Sequence, residues 1–474
     1  MKKSLCLLLT ALLVFGLLGC GGSGNAQKGL QVGFNRQITT PTQNGVPIAG
    51  GDANARPSDS VLDDTSLSCI ALSMNGETYL IYTCDQMVLY SDIIDPVKLA
   101  ITAATGIPKE NILLNCTHTH SSANISSRTW DGVGAYRERF TSRSVKAAEL
   151  AIADLSPATI SYGSTQAENM AFVRHYLMND GTTCGNGHGS TASGYKSHMY
   201  DADVELQIIQ FNRAAEDKKD IMIASFPAHA TTVNGTNKYS ISADYPGAFR
   251  AAVEAAADVH CAFFQGASGD QIPKSNIKGL AATENDHRKQ GQKLAEYALS
   301  VELTPMDASK LVMKKWGYTG ASMKEGMEDA QLMAHAAEVS GLAAVKGSSD
   351  ATVQALARQY GFSSVYDATG LTSRTSAPDM RSMELVAMQL GSEVSIVFAP
   401  YEMFGMHGAY IKENSPFAMD FIVTCSEDYQ GYFPHIEGCE HGFYEYDVTR
   451  YERGTGEKLA ELYVATLTEM KNAN

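Results

Sequence analysis

Two rhythms of apolar and polar positions run along the chain. Short apolar runs, "NILLNC", "DIMIASF", "VHCAFF", "EVSIVF" and "FIVTC", have the length and β-branched or aromatic content of buried strands. "SCIALSM" and "TYLIYTC" read as an early hairpin with "NGE" as the turn. Between such runs lie segments with apolar residues near helical spacing. "AYRERFTSRSVKAAELAIADL" is one, and "SADYPGAFRAAVEAAA" is another, entered through Asp244 with Pro246 in its first turn. The alternation predicts an α/β protein, with mixed β-sheets and flanking helices. A charged, Ala-rich section over 323–360 reads as a helical insertion that carries no evident chemistry. No internal repeat interrupts the pattern.

Composition changes this picture at the N-terminus and in what it excludes. The chain has 474 residues, 44% hydrophobic and 19% charged, an ordinary globular balance. Its formal net charge is −15 and no basic block occurs, which argues against a nucleic-acid partner, since phosphate contacts need clustered Lys and Arg. Lys2 and Lys3 precede an apolar run from Leu5 to Leu18, the layout of an export signal over 1–19. "LLGC" then resembles a bacterial lipobox, with Cys20 as the lipidated first residue of the mature chain and 20–29 as a flexible tether. Acyl chains contribute roughly 0.8 kcal/mol per buried CH₂, so the expectation is an exported protein anchored to the cell membrane and facing outside the cytoplasm. A plain cleaved signal is the alternative. Nine cysteines, less Cys6 and Cys20, leave seven without repeated spacing, which is neither a disulfide framework nor a Cys-x-x-Cys zinc site. A Cys425–Cys439 pair stays open.

Candidate chemistry lies just past the apolar runs. "NILLNC" is followed by His118 and His120, "DIMIASF" by His229, "EVSIVF" by Glu402 and "FIVTC" by Tyr432. "VHCAFF" leads into a glycine-rich turn carrying Asp270, read as turn chemistry rather than catalysis. In α/β sheets ligands gather outside the carboxyl ends of strands, so these donors are placed to converge on a metal there. Imidazole, carboxylate and phenol oxygen suit zinc, which binds such atoms at about 2.0–2.2 Å. Taken singly, each residue has a plainer reading: Glu402 at a helix start, Tyr432 in the core, Arg174 in a surface ion pair.

Ordered blocks of the chain resemble the catalytic domain of the neutral/alkaline, non-lysosomal ceramidases. They are "QVGFNRQITTP", "CTHTHSSAN", "FPAHATTV", "SADYPGAF", "PYEMF" and "DYQGYFPHIEGCEHGFYE". The likeness runs from about Leu30 to Leu459 and matches poorly over the helical insertion. It implies one ceramidase-like catalytic domain over 30–474, without the extra C-terminal β-domain of true ceramidases. It also implies Zn²⁺ bound by His118, His229, Glu402 and Tyr432, with catalytic roles for His120, Arg174 and Tyr444. His120 would transfer the proton, while Arg174 and Tyr444 would hold the oxyanion.

The expected activity is hydrolysis of an N-acyl amide bond by hydroxide generated at zinc. The chain departs from the family at Gln37, where Asp is usual, at "THSS", and in "GDQIPK", which puts Ile272 where the ceramidases carry an active-site serine; Ile has no hydroxyl to orient a sphingoid alcohol. An esterase or other hydrolase acting on a non-sphingolipid substrate is therefore a second reading. A non-catalytic metal-binding lipoprotein is a third. His120, Arg174 and Tyr444 separate the last from the others, because a structural metal site needs no open face and no oxyanion donors.

Overall fold

The computed structural model describes residues 29–473 apart from 44, 51–55, 129, 186–193, 234–236, 278–285 and 438–442. The expected leader, Cys20 and the tether up to Lys28 lie outside the described residues, as does Cys439. Among the described residues no helix is long and apolar enough to cross a membrane.

The strand runs assemble into two main sheets. The larger runs in the order Val259–Gln265, Asp220–Phe226, Glu205–Arg213, Ser156–Gln166, Gln31–Ile38, Ser66–Met74, Glu77–Cys84, Ile112–Cys116, with Thr304–Met306 also pairing to Ser156–Gln166. The smaller orders Leu311–Ala321, Met380–Leu390, Val394–Phe398 and Met419–Val423. Both are mixed, as expected. The hairpin forms in the register Met74↔Glu77, closed by Asn75 (φ 52°) and Gly76 (φ 88°). Positive φ at both turn positions matches the strand twist and explains why Asn-Gly sits there.

Period-2 alternation decides how the layers stack. Val32, Phe34, Ile70, Leu72, Ile81 and Leu113 point from the large sheet onto Val386, Met388, Ile396, Phe398 and Phe421 of the small one, forming the central core. The alternate residues Leu67, Cys69, Leu80, Tyr82 and Leu114 face the helices Ser91–Thr105 and Val133–Ala153. Leu206, Ile208, Phe226, Cys261 and Phe263 do the same against Asp244–Ala256 and His287–Leu299. On the far side, Leu385, Val397 and Ile422 pack on Gly405–Asn414 and Thr455–Asn472. The result is four layers: helices, sheet, sheet, helices.

The helical insertion extends one helix beyond its expected end. Ala330–Lys346 and Ala351–Gln359 fall within 323–360, but Val365–Ser373 follows, started by Ser364, whose side chain accepts from Asp367 N–H. Phe362, Val365, Ala368 and Leu371 complete a small core with Ala336, Val339, Val353 and Ala357. A boundary at Tyr360 would leave that core half built.

Three parallel pairs direct chain toward one end of the molecule. Glu77–Cys84 runs with Ile112–Cys116, Asp220–Phe226 with Val259–Gln265, and Val394–Phe398 with Met419–Val423. The two sheets are stitched at these carboxyl ends. Thr424 N–H donates to Gln265 O at 2.8 Å, Thr424 Oγ1 to Gly266 O at 2.8 Å, and Glu427 N–H to Leu114 O at 2.9 Å. The segments leaving all six strands therefore meet in one place.

Candidate metal centre

His118 leaves the Ile112–Cys116 strand in an unusual conformation, with φ at +58°. A non-glycine residue in this region stores about 1–3 kcal/mol of strain, a cost concentrated at functional sites. The turn aims the ring inward: Nδ1 sits 2.8 Å from Met87 O, which places the ring proton there and the lone pair on Nε2. His229, past the Asp220–Phe226 strand, repeats the arrangement with Nδ1 2.6 Å from Ser268 O and 3.1 Å from Gln271 O. Both Nε2 atoms point at one oxygen. Glu402 Oε2 lies 3.2 Å from His118 Nε2 and 2.9 Å from His229 Nε2.

Glu402 begins a two-residue strand that pairs in parallel with Tyr432–Phe433, so Glu402 and Tyr432 stand side by side. The Tyr432 hydroxyl is 3.4 Å from His229 Nε2. Burial, helped by the Glu402 charge, raises the Tyr432 pKa well above 10, while the neighbouring Arg174 pulls it down. Its guanidinium lies 5.5 Å from the Tyr432 ring centroid. His120 Nε2 is 3.2 Å from His118 Nε2, and one ring nitrogen from each of His118, His120 and His229 lies within 4.8 Å of the others. The Tyr444 ring is 5.6 Å from that of Tyr432, edge to face. All seven residues expected from the sequence are thus brought together.

The donor set tests whether a metal fits. Glu402 Oε2 is buried, and the atoms that face it are His118 Nε2 and His229 Nε2. Its other oxygen accepts from the Tyr429 hydroxyl. Two imidazole lone pairs facing a carboxylate oxygen repel unless a proton or a cation lies between them. Burial alone would raise the Glu402 pKa, yet His118 and His229 hold it well below 4.5. Burial disfavours charge on His118 too, but Cys425 and Glu402 outweigh it and raise its pKa, whereas burial and Arg174 lower His229 to about 4. Two nitrogens, a carboxylate and a phenol oxygen, with both Nδ1 atoms tied to carbonyls, are donors and supports that fit a metal ion.

Several contributors gave no signal in the sequence. Glu445 is fully buried; Oε1 meets Arg174 Nε at 2.6 Å and Oε2 meets His175 Nε2 at 2.9 Å. His175 Nδ1 reaches the Tyr200 hydroxyl at 3.1 Å, which donates to Asp270 Oδ2 at 2.9 Å. Asp270 Oδ1 accepts from Gly405 N–H at 2.7 Å, so Asp270 positions backbone, as its turn suggested. Arg174 NH2 donates to Gly269 O at 2.7 Å. Cys425 Sγ lies 3.5 Å from His118 Nδ1. Tyr366, from the third helix of the insertion, packs edge-on against Tyr444 with centroids 5.1 Å apart. Ile272 pairs opposite Phe172 in a short ladder next to Gln271, whose carbonyl faces His229.

The chain has the fold of the neutral ceramidases, and its donor cluster sits at the strand ends of that fold. It superposes on a crystal structure of neutral ceramidase from Pseudomonas aeruginosa with TM-score 0.68, 16% identity, 94% of this chain and 75% of that chain covered. A structure of a ceramidase complexed with C2 gives TM-score 0.69 at 16% identity and the same coverage, 94% and 75%. No family model and no curated protein matches. At this identity the likeness shows a shared fold, in agreement with the blocks read from the sequence.

Proposed function

We propose that this protein is a zinc-dependent hydrolase of an N-acyl amide bond in a lipid-like substrate, with ceramidase-like chemistry. His118, His229, Glu402 and Tyr432 would hold the ion. The observation that carries this reading is Glu402 Oε2, buried and faced by two imidazole nitrogens at 3.2 and 2.9 Å. Bound there, zinc would polarise the scissile carbonyl and lower the pKa of a water from 15.7 to about 7.

The rest falls to the chain's own side chains. His120 is half-buried, and burial, then its neighbours His118 and His229, push its pKa well below 6.5, so its ring is neutral near pH 7. A neutral imidazole accepts the proton of the attacking water and returns it to the leaving nitrogen. Arg174, fixed by Glu445 and Gly269, keeps its charge beside Tyr432 and stabilises the developing oxyanion with Tyr444. One such donor typically contributes about 2.7–4 kcal/mol to the transition state. Tyr366 buttresses Tyr444 and gives the insertion a hand in substrate fit. The half-buried edges of His120 and Tyr444 weigh against a purely structural metal site.

Ile272 favours a second reading of the substrate, an ester or a non-sphingolipid amide, because an apolar side chain stands where the ceramidases use a serine. We also propose that Cys20 carries a lipid anchor holding the enzyme outside the cytoplasm; Cys20→Ala should release it from the membrane fraction. The function itself is tested by a release assay across N-acyl-sphingosine, N-acyl amino acid and simple ester panels. Activity on an amide that His118→Ala abolishes supports the reading. Activity confined to esters, or indifferent to His118→Ala, removes it.

A further inference from the structure

Away from this centre, a second group of metal-binding side chains has no role in the reading above. His407 is in the first turn of the helix Gly405–Asn414, Glu457 in the first turn of Thr455–Asn472, and His435 in the segment after Tyr432–Phe433. One ligand atom from each lies within 4.8 Å of the others. His407 Nε2 is 3.9 Å and His435 Nε2 3.7 Å from Glu457 Oε1, and the two rings are 5.4 Å apart.

The burial of His407 is what needs explaining. The residue is 2% exposed, and among the described residues neither ring nitrogen has a partner at hydrogen-bond distance, the Glu457 carboxylate standing 3.9 Å from Nε2. Glu457 Oε2 is likewise buried and without one, while Oε1 accepts from Ile436 N–H at 2.7 Å. Buried polar atoms are almost always satisfied, so three orphans in one cluster mark a missing partner. The chain also makes room for the ring. A Cβ on Gly456 would stand 2.2 Å from His407 Cε1, so only glycine allows the imidazole to lie over the start of that helix.

The missing partner is a cation rather than an anion, because the carboxylate would repel an anion while all three side chains offer lone pairs. Two imidazoles and one carboxylate select a borderline transition ion; Ca²⁺ and Mg²⁺ prefer all-oxygen sites. The half-buried His435 leaves one side open for entry. Its Nδ1 accepts from the exposed Glu437 N–H at 3.2 Å, a contact that water replaces when the ring proton moves to Nδ1.

We propose that His407, His435 and Glu457 form a second metal site, for a divalent ion of the zinc class. The ion would tie His407, five residues beyond Glu402, and His435, three residues beyond Tyr432, to Glu457, bracing the short ladder in which Glu402 and Tyr432 pair. The site stands whether or not the amidase reading holds.

The test is a metal count. The full chain, equilibrated with excess ZnCl₂ and freed of loose ion by gel filtration, is analysed beside His435→Ala, with circular dichroism confirming the fold of both. His435 is partly exposed, so its loss should leave the fold intact; Glu457→Gln serves as a second variant. The expected result is one zinc equivalent fewer per chain in each variant. Co²⁺ in place of zinc should show a matching loss of part of its visible absorption. Equal zinc content in wild type and both variants would overturn the site. A drop from one to zero would keep it and count instead against the His118 centre.

Discussion

Glu445→Gln probes how the site is held. The wild-type carboxylate is fully buried, 2.6 Å from Arg174 Nε and 2.9 Å from His175 Nε2. Two unit charges at the shorter distance attract by about 6 kcal/mol at an effective dielectric of about 20. Desolvation takes back part of this, and breaking a buried pair from one side typically costs about 3–5 kcal/mol, because the remaining charge is left uncompensated. Gln keeps the shape and removes the charge, so Glu445→Gln should destabilise the chain by about 3–5 kcal/mol in urea unfolding. Arg174→Met should cost a similar amount, and the double variant clearly less than the sum. If Arg174 holds the oxyanion as proposed, folded Glu445→Gln should at a permissive temperature lose kcat more than it raises KM. A loss under about 1 kcal/mol, the range of exposed pairs, or additive single effects would refute the reasoning.

The same carboxyl predicts a pH dependence. Burial alone would raise its pKa, but Arg174 and His175 hold it at about 2. A lowered carboxylate stabilises fully above the unfolded value near 4.3 and loses that contribution as pH falls toward 2, so urea midpoints should drop through this window and do so less in Glu445→Gln. Tyr429→Phe removes the hydroxyl that donates to Glu402 Oε1 and should weaken zinc binding at the His118 centre by about 10–100-fold in competition with a chelator. Leu371→Ala empties the insertion's own core; a loss of about 2–5 kcal/mol, seen as faster amide exchange in the three insertion helices, is expected, and unchanged exchange would show that they do not depend on this core. Ile272→Ser should shift turnover toward N-acyl-sphingosine, and prior wild-type turnover of that substrate would mean the position matters less than argued.

Strand ends were legible because each donor follows an apolar run too short for a helix, and chain direction then fixes which end of the sheet it leaves from. That placed His118, His120, His229, Glu402 and Tyr432 at one end of the sheet, and the ordered blocks added Arg174 and Tyr444 and divided the set into metal ligands and catalytic groups. What escaped was support. Glu445 reads as one more acidic residue beside Tyr444, and only the fold shows that it is buried between Arg174 and His175. Cys425 approaches His118 because the two sheets are stitched there, a contact across 307 residues that periodicity does not encode, and Tyr429 reaches Glu402 from the loop 27 residues further on. The third insertion helix lies beyond the expected end at Tyr360; glycine and serine punctuate the chain at Gly361 and Ser363–Ser364, yet Ser364 starts a helix whose apolar face the first two helices require.

Crystals soaked in zinc and measured on either side of the zinc absorption edge test the central claim most directly. The account predicts an anomalous peak between His118 Nε2, His229 Nε2 and Glu402 Oε2, absent in His118→Ala. Ordered density for those three side chains with no anomalous signal between them would contradict it.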